Sequence, residues 1–179
     1  MNFNEKTITS EKKFEGRIFN VEVLDVELPD GKKGYRELVN HPGGVGIVAL
    51  TDENKILMVR QYRKPIEKDI IEIPAGKLEK GEDPLVCGKR ELEEETGYRA
   101  KEFVSLGYLY PSPGFANEVT HLYLAWGLEK GNVNPDEDEY LDILKLPVND
   151  IYSAIMKNEI NDAKTVIGFF KAMEYIKGN

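Results

Sequence analysis

The chain has a single cysteine, Cys87, among its 179 residues. An intrachain disulfide is therefore excluded. The two histidines, His41 and His121, are far apart in sequence, and no Cys/His set has zinc spacing. Long apolar runs are missing too. None approaches the roughly 18 residues that cross a bilayer, so a membrane protein is not expected. The opening stretch MNFNEKTITSEKK has no apolar core, so a secretory signal is not expected either. Positive charge is in deficit: 24 Lys and Arg stand against 32 Asp and Glu, a formal net charge of −8. A general nucleic-acid or membrane-surface binder needs a basic face, so both classes are disfavoured. A phosphorylated substrate is not excluded, because a bound cation inverts the local sign of charge. A cytoplasmic protein is expected. The balance of 41% hydrophobic and 31% charged residues fits one folded domain, or one domain with an appendage.

Turn and cap residues divide the chain. Arg17 to Leu28 alternates apolar and polar residues as a strand does, and Pro29-Asp30-Gly31 turns it toward a returning strand at Tyr35 to Asn40. Residues 1–40 are read as a β appendage and residues 41–179 as the main domain. Further strands are expected at Gly46 to Leu50, Lys55 to Tyr62, Ile70 to Ile73, Ala100 to Tyr110, Val119 to Leu128 and Leu141 to Leu146. Residues 75–82 read as a loop. Asp83 reads as an N-cap with Pro84 at the first helical position, opening a helix to Thr96 that Gly97 closes. Asp150 and Asp162 read as caps of two further helices. The pattern predicts an α/β fold, a mixed sheet with helices on its faces. Tyr62, Tyr108 and Tyr110 read as core or flanking residues of the sheet.

The stretch Gly76 to Tyr98, GKLEKGEDPLVCGKRELEEETGY, concentrates negative charge. Glu91, Glu94 and Glu95 lie at i, i+3 and i+4, which stacks three carboxylates on one helical face. Like charges at that spacing destabilise a helix by roughly 0.2–0.5 kcal/mol per pair. One reading is a solvated helix face. The other is a wall of carboxylates held against a hard divalent cation, which prefers such oxygens and shares them with substrate phosphates. Arg90 is placed to fix one of these carboxylates by a bidentate contact. Glu93 points away from the face, and the preceding loop can bring Glu82 toward the cation.

Gly76, Glu82, Arg90-Glu91, Glu94-Glu95 and Gly97 occupy every fixed polar and glycine position of the Nudix box, and the chain resembles that family. Tyr98 departs from the bulky aliphatic residue usual at the last position. The resemblance implies a Nudix α/β/α sandwich that hydrolyses a nucleoside diphosphate linked to another group. It makes Glu91 and Glu95 metal ligands with Glu94 in support and adds the Ala75 carbonyl as a ligand. The loop Ser112-Pro113-Gly114-Phe115-Ala116-Asn117-Glu118 resembles the proline-bearing loop of the ADP-ribose pyrophosphatase subfamily. By that likeness Arg36, Glu37, Arg63, Pro113 and Glu118 would bind substrate. The acidic run Asp136-Glu137-Asp138-Glu139 matches the loop that carries the general base there, with Glu137 as base and Glu139 as a further metal ligand.

The chemistry implied is metal-dependent hydrolysis of ADP-ribose to AMP and ribose 5-phosphate, with two or three Mg²⁺ or Mn²⁺ ions per site and Glu137, Glu94 and Arg90 as catalytic residues. Two alternatives stay open. One is a Nudix hydrolase of another substrate, such as a nucleotide sugar, NADH or a dinucleoside polyphosphate. The other is a non-catalytic Nudix module that senses a nucleotide. In the resembling subfamily such appendages exchange between two protomers, so a homodimer is expected, with a small nucleoside diphosphate substrate and neither nucleic acid nor membrane as partner.

Overall fold

A strand that the residue pattern does not announce opens the chain. In a computed structural model that describes residues 2–134 and 140–178, Lys6–Glu15 forms β1 although all ten of its residues are exposed. It pairs antiparallel with β2 (Asn20–Glu27), which pairs antiparallel with β3 (Lys33–Asn40). The expected Pro-Asp-Gly turn joins β2 to β3: Gly31 takes φ +81° and its N–H donates to the Leu28 carbonyl at 2.8 Å. β1 escapes detection because its KTITSEKKFE sequence has no apolar face to bury; its backbone ladder to β2 and the hydrogen bonds from Thr9 to Asp25 and Ser10 to Glu22 hold it. Glu137 and Glu139, read above as base and metal ligand, lie outside the described residues.

The chain divides into two compact units, residues 1–43 with 110–119 and residues 44–109 with 120–179. In the first, the loop 110–119 lies along β3. Val39 and Ala116 form a parallel bridge, the Val39 N–H donates to the Phe115 carbonyl at 2.8 Å, and the Asn117 N–H donates to the Val39 carbonyl at 3.1 Å.

The second unit is built on a mixed sheet. Its strands are β4 (Gly44–Leu50), β5 (Lys55–Arg63), β6 (Lys68–Glu72), β7 (Ala75–Lys77), β8 (Tyr98–Leu109), β9 (Thr120–Lys130) and β10 (Leu141–Pro147). The order is β10-β5-β4-β9-β8, with β6 paired to β5 and β7 to β4. The β4–β9 pair is parallel and the other pairs are antiparallel. Helices α1 (Pro84–Thr96), α2 (Val148–Met156) and α3 (Ala163–Gly178) cover both faces. Val45, Ile47, Ala49, Leu57, Tyr123 and Ala125 pack with Cys87 and Leu92 of α1. The alternate residues Val48, Ile56, Met58, Leu122 and Leu124 pack with Ile151 of α2 and Phe169 and Ala172 of α3. Two buried faces explain why β4 reads GVGIVAL without polar interruption. Each fully buried Ile or Leu contributes about 1.5–3 kcal/mol. The result is an α/β/α sandwich with a separate antiparallel sheet at the N-terminus.

The structure departs from the sequence reading at these places. Ala75–Lys77 is a strand where a loop was expected. Pro147 caps α2, and Asp150 sits in its first turn, because β10 runs straight into the helix. Tyr62, Tyr108 and Tyr110 are more than half exposed (52%, 55% and 54%), which removes them from the core.

Candidate active site

Local sequence places α1 with little freedom. The Asp83 carboxylate accepts from the Leu85 and Val86 N–H groups at 2.9 and 3.2 Å, and Pro84 follows at the position whose N–H has no helical partner. At the other end Gly97 takes φ +69° and its N–H donates to the Glu93 carbonyl at 2.7 Å. Between these caps Glu91 and Glu95 face the sheet, 9% and 1% exposed.

β7 meets them there. Val45 pairs with Gly76 and Gly46 with Ala75, which fixes the short strand beside α1. The Ala75 N–H donates to Glu95 Oε2 at 3.0 Å. A β-carbon on Gly76 would lie 1.8 Å from Glu91 Cδ and 2.0 Å from its Oε1, so only glycine admits that carboxylate.

Arg90 gathers the acidic groups. Its Nη1 donates to Glu91 Oε1 at 2.8 Å and to Glu94 Oε2 at 2.9 Å. Its Nε and Nη2 fork onto the two oxygens of Glu82, each at 3.1 Å. The bidentate partner expected on α1 is thus Glu82, which precedes the helix and also accepts from the Glu79 N–H at 2.9 Å. The guanidinium beside Glu82 holds its carboxyl down at about 2. The hydrogen bonds that Arg90 donates to Glu82 and Glu94 push its pKa up against burial. Burial and the nearby Glu82 and Glu91 push the Cys87 thiol up to about 12, so it is a packed, unreactive group. Glu93 lies off this face, taking Arg99 Nε at 2.7 Å and the Asn132 N–H at 3.2 Å.

Arg63 belongs to the same unit. Its Nε donates to Glu72 Oε1 at 2.7 Å. Burial works against its charge, and Glu72 with the fields of Glu95 and Asp162 more than offsets this, so the guanidinium stays charged above its ordinary value. Glu72 is fully buried, and Lys164 donates to its other oxygen. Sequence reading missed this pair. The signal was a charged residue inside the apolar run Ile70-Ile71-Glu72-Ile73.

The remaining expected residues lie in the first unit. Arg36 forks onto both oxygens of Glu5 and donates to the Tyr35 carbonyl at 2.8 Å. Glu37 is exposed opposite Val23. Pro113 lies in the 110–119 loop, and Glu118 Oε1 is 3.9 Å from His41 Nδ1. That nitrogen accepts from the Gly43 N–H at 3.1 Å. Asn117, a member of the loop motif given no role above, ties it in place: its Oδ1 accepts from the His41 N–H at 2.9 Å and its Nδ2 donates to Asn40 Oδ1 at 2.8 Å.

A family model described as the Nudix domain matches residues 40–167. The chain belongs to the Nudix family. A second model, the nucleoside diphosphate sugar hydrolase N-terminal domain, matches residues 5–39. A protein named methanol dehydrogenase activator from Bacillus methanolicus is 51% identical over 177 residues, covering 98% of this chain and 94% of its own length. The ADP-ribose pyrophosphatase of Bacillus subtilis (strain 168) is 48% identical over 177 residues, covering 97% and 92%. A solved structure of an ADP compounds hydrolase shares the fold with a TM-score of 0.88 at 23% identity, across 99% of this chain and 97% of its own.

Nudix hydrolases of this kind need a divalent metal, and the residues of the Nudix helix fit one. Their donors are all oxygen, as a hard cation requires. Glu91 is cradled in space that any β-carbon at position 76 would fill. Among the described residues no three acidic, His or Cys side chains already converge as a cation cage. Arg90 instead neutralises the carboxylates. No helix among the described residues is long and apolar enough to cross a membrane.

Proposed function

We propose that this Nudix pyrophosphohydrolase cleaves ADP-ribose to AMP and ribose 5-phosphate. The observation that carries the substrate is the 48% identity, over 97% of this chain, to an ADP-ribose pyrophosphatase. Glu91, Glu95 and the Ala75 carbonyl, with Glu139, would hold Mg²⁺ or Mn²⁺, two or three ions in all. When bound, the metal neutralises the charge that builds on the pyrophosphate oxygens. Arg90 and Glu94 keep the carboxylates of the helix in place. Glu137 accepts the proton of the attacking water as its oxygen bonds to one phosphorus and the bond to the bridging oxygen breaks. Arg63 meets the charge on the transferring group, and Arg36, Glu37, Pro113 and Glu118 hold the rest of the substrate. The buried Glu91 and Glu95 and the charged Arg63 support these roles.

Residues 1–40 act as an appendage that pairs two copies of the chain, with 41–179 as the Nudix domain of a cytoplasmic enzyme. Phe3, Ile8, Phe14, Ile18 and Phe19 are exposed on this appendage and support self-association. Light scattering tests it: a monomer at micromolar concentration rejects the dimer. For the substrate, purified protein with Mg²⁺ is offered ADP-ribose, sugar nucleotides, NADH and diadenosine polyphosphates. ADP-ribose should rank among the best by kcat/KM, and Glu95→Gln should remove most of kcat with the fold intact. Poor turnover of ADP-ribose beside another substrate rejects the assignment.

The 51% identity to a methanol dehydrogenase activator favours a second reading, in which this protein raises the activity of a methanol dehydrogenase. Methanol oxidation by such an enzyme, measured with and without the protein, decides it. An unchanged rate rejects this reading.

A further inference from the structure

A carboxylate inside an apolar strand needs a reason. Glu72 ends β6 and has no exposed surface. A lone charge there would be strongly unfavourable. Two cations cover it: Arg63 Nε donates to Oε1 at 2.7 Å and Lys164 Nζ donates to Oε2. Lys164 is also 3.2 Å from Asp162 Oδ2. Asp162 caps α3 by accepting from the Thr165 N–H at 3.0 Å, and the Thr165 hydroxyl accepts from the Ile73 N–H at 2.9 Å. One chain of charges and hydrogen bonds therefore ties the end of β5, β6 and the start of α3 around Glu72.

The two cations play different parts. Lys164 is 17% exposed and lies between two carboxylates of the protein, so the cluster consumes it. The Arg63 side chain is 40% exposed and gives Glu72 its Nε. Among the described residues no hydrogen bond engages its Nη groups. An arginine anchored through Nε presents its terminal amino groups as a fork, which suits two hydrogen bonds to a phosphate. The alternation of β5 puts Val59 and Arg63 on one face, and Glu72 pairs with Val59, so Glu72 reaches Arg63 along that face. Glu95 lies near enough for its charge to act on Arg63. A free Arg63 would be drawn toward any acidic neighbour, and Glu72 decides which.

We propose that Glu72 is a positioning residue for pyrophosphate hydrolysis: it holds Arg63 by Nε so that the Nη fork faces the substrate bound beside Glu91 and Glu95. The proposal rests on the reading of Arg63 as a substrate-binding cation. The bland alternative is a pin that fastens α3 to the sheet and has no bearing on Arg63.

A double-mutant cycle on kcat/KM for ADP-ribose with Mg²⁺ separates the two. Arg63→Ala and Glu72→Gln should each lose on the order of 10- to 100-fold. The double variant should lose no more than Arg63→Ala alone, within about twofold, because Glu72 then has nothing to position. Losses that multiply overturn the proposal. Should Glu72→Gln fail to fold, Glu72→Asp keeps the charge and withdraws the acceptor by one methylene. It should lose about tenfold in kcat/KM with the fold intact by circular dichroism, and wild-type turnover there overturns the proposal. If the wild type cleaves another nucleoside diphosphate and not ADP-ribose, the substrate assignment fails and the cycle is run on the better substrate. If the wild type cleaves none, the hydrolase reading fails and the role of Glu72 falls with it.

Discussion

The carboxylate of Glu91 occupies the space that a β-carbon on residue 76 would take, 1.8 Å from its own Cδ. The absence of a side chain at Gly76 is therefore part of the acidic wall. Gly76→Ala must push Glu91 outward or part β7 from β4. A misplacement of about 1 Å can cost on the order of 10²-fold in rate. We expect Gly76→Ala to lose about that much kcat at saturating Mg²⁺ while circular dichroism shows the helix intact. Wild-type turnover in this variant would mean that Glu91 is not a metal ligand.

Arg90 binds three carboxylates through one planar fork, and lysine cannot reproduce that geometry. Arg90→Lys keeps the charge and loses the simultaneous hold on Glu82, Glu91 and Glu94. Partners that orient metal ligands typically account for 10- to 100-fold in affinity or activity. A loss of that size is expected in the Mg²⁺ dependence of kcat, read by titrating the metal. An unchanged Mg²⁺ titration would make Arg90 a stabilising residue alone.

The same residues show what the sequence made legible. Helix α1 was readable to its ends because its caps are local: Asp83, Pro84 and Gly97 act on neighbours within four residues. The carboxylate face follows from helical spacing for the same reason. Strand β1 was not readable, because its ladder to β2 uses backbone groups and its side chains bury nothing. Glu72 and Lys164 were missed because they lie 92 residues apart and only the fold joins them. Arg90 holds Glu91 and Glu94 on its own helix, as the spacing indicates, while its bidentate fork goes to Glu82, eight residues away, because the turn before α1 folds back onto it.

Glu82 gives a pH dependence with a definite sign. Its carboxyl titrates at about 2 in the folded protein because the Arg90 guanidinium favours the charged form, against about 4.3 when unfolded. A depressed folded value contributes stability that is complete above the unfolded value and is lost as pH falls toward the folded one. In EDTA, the melting temperature of the wild type should exceed that of Glu82→Gln by a constant margin from pH 8 to about 5. The margin should then narrow steadily toward about pH 2.5. A margin that widens on acidification would show that Glu82 is not held charged by Arg90.

If the 110–119 loop holds substrate, Asn117 is expected to act on binding rather than on chemistry. Its side chain joins the loop of Pro113 and Glu118 to β3 through the His41 N–H and Asn40, and Asn40 in turn donates to Glu22 Oε1 at 2.9 Å. Ser10 donates to the other oxygen of Glu22 at 2.7 Å, so the relay crosses all three strands of the first unit. Asn117→Ala removes two hydrogen bonds, each with a net value of about 0.5–1.5 kcal/mol, so a weakening on the order of tenfold follows. If the loop holds substrate equally in the ground and transition states, the loss appears in KM while kcat stays within about threefold. Steady-state kinetics on ADP-ribose gives the split directly. A fall confined to kcat would remove Pro113 and Glu118 from substrate binding and make the loop part of the catalytic machinery.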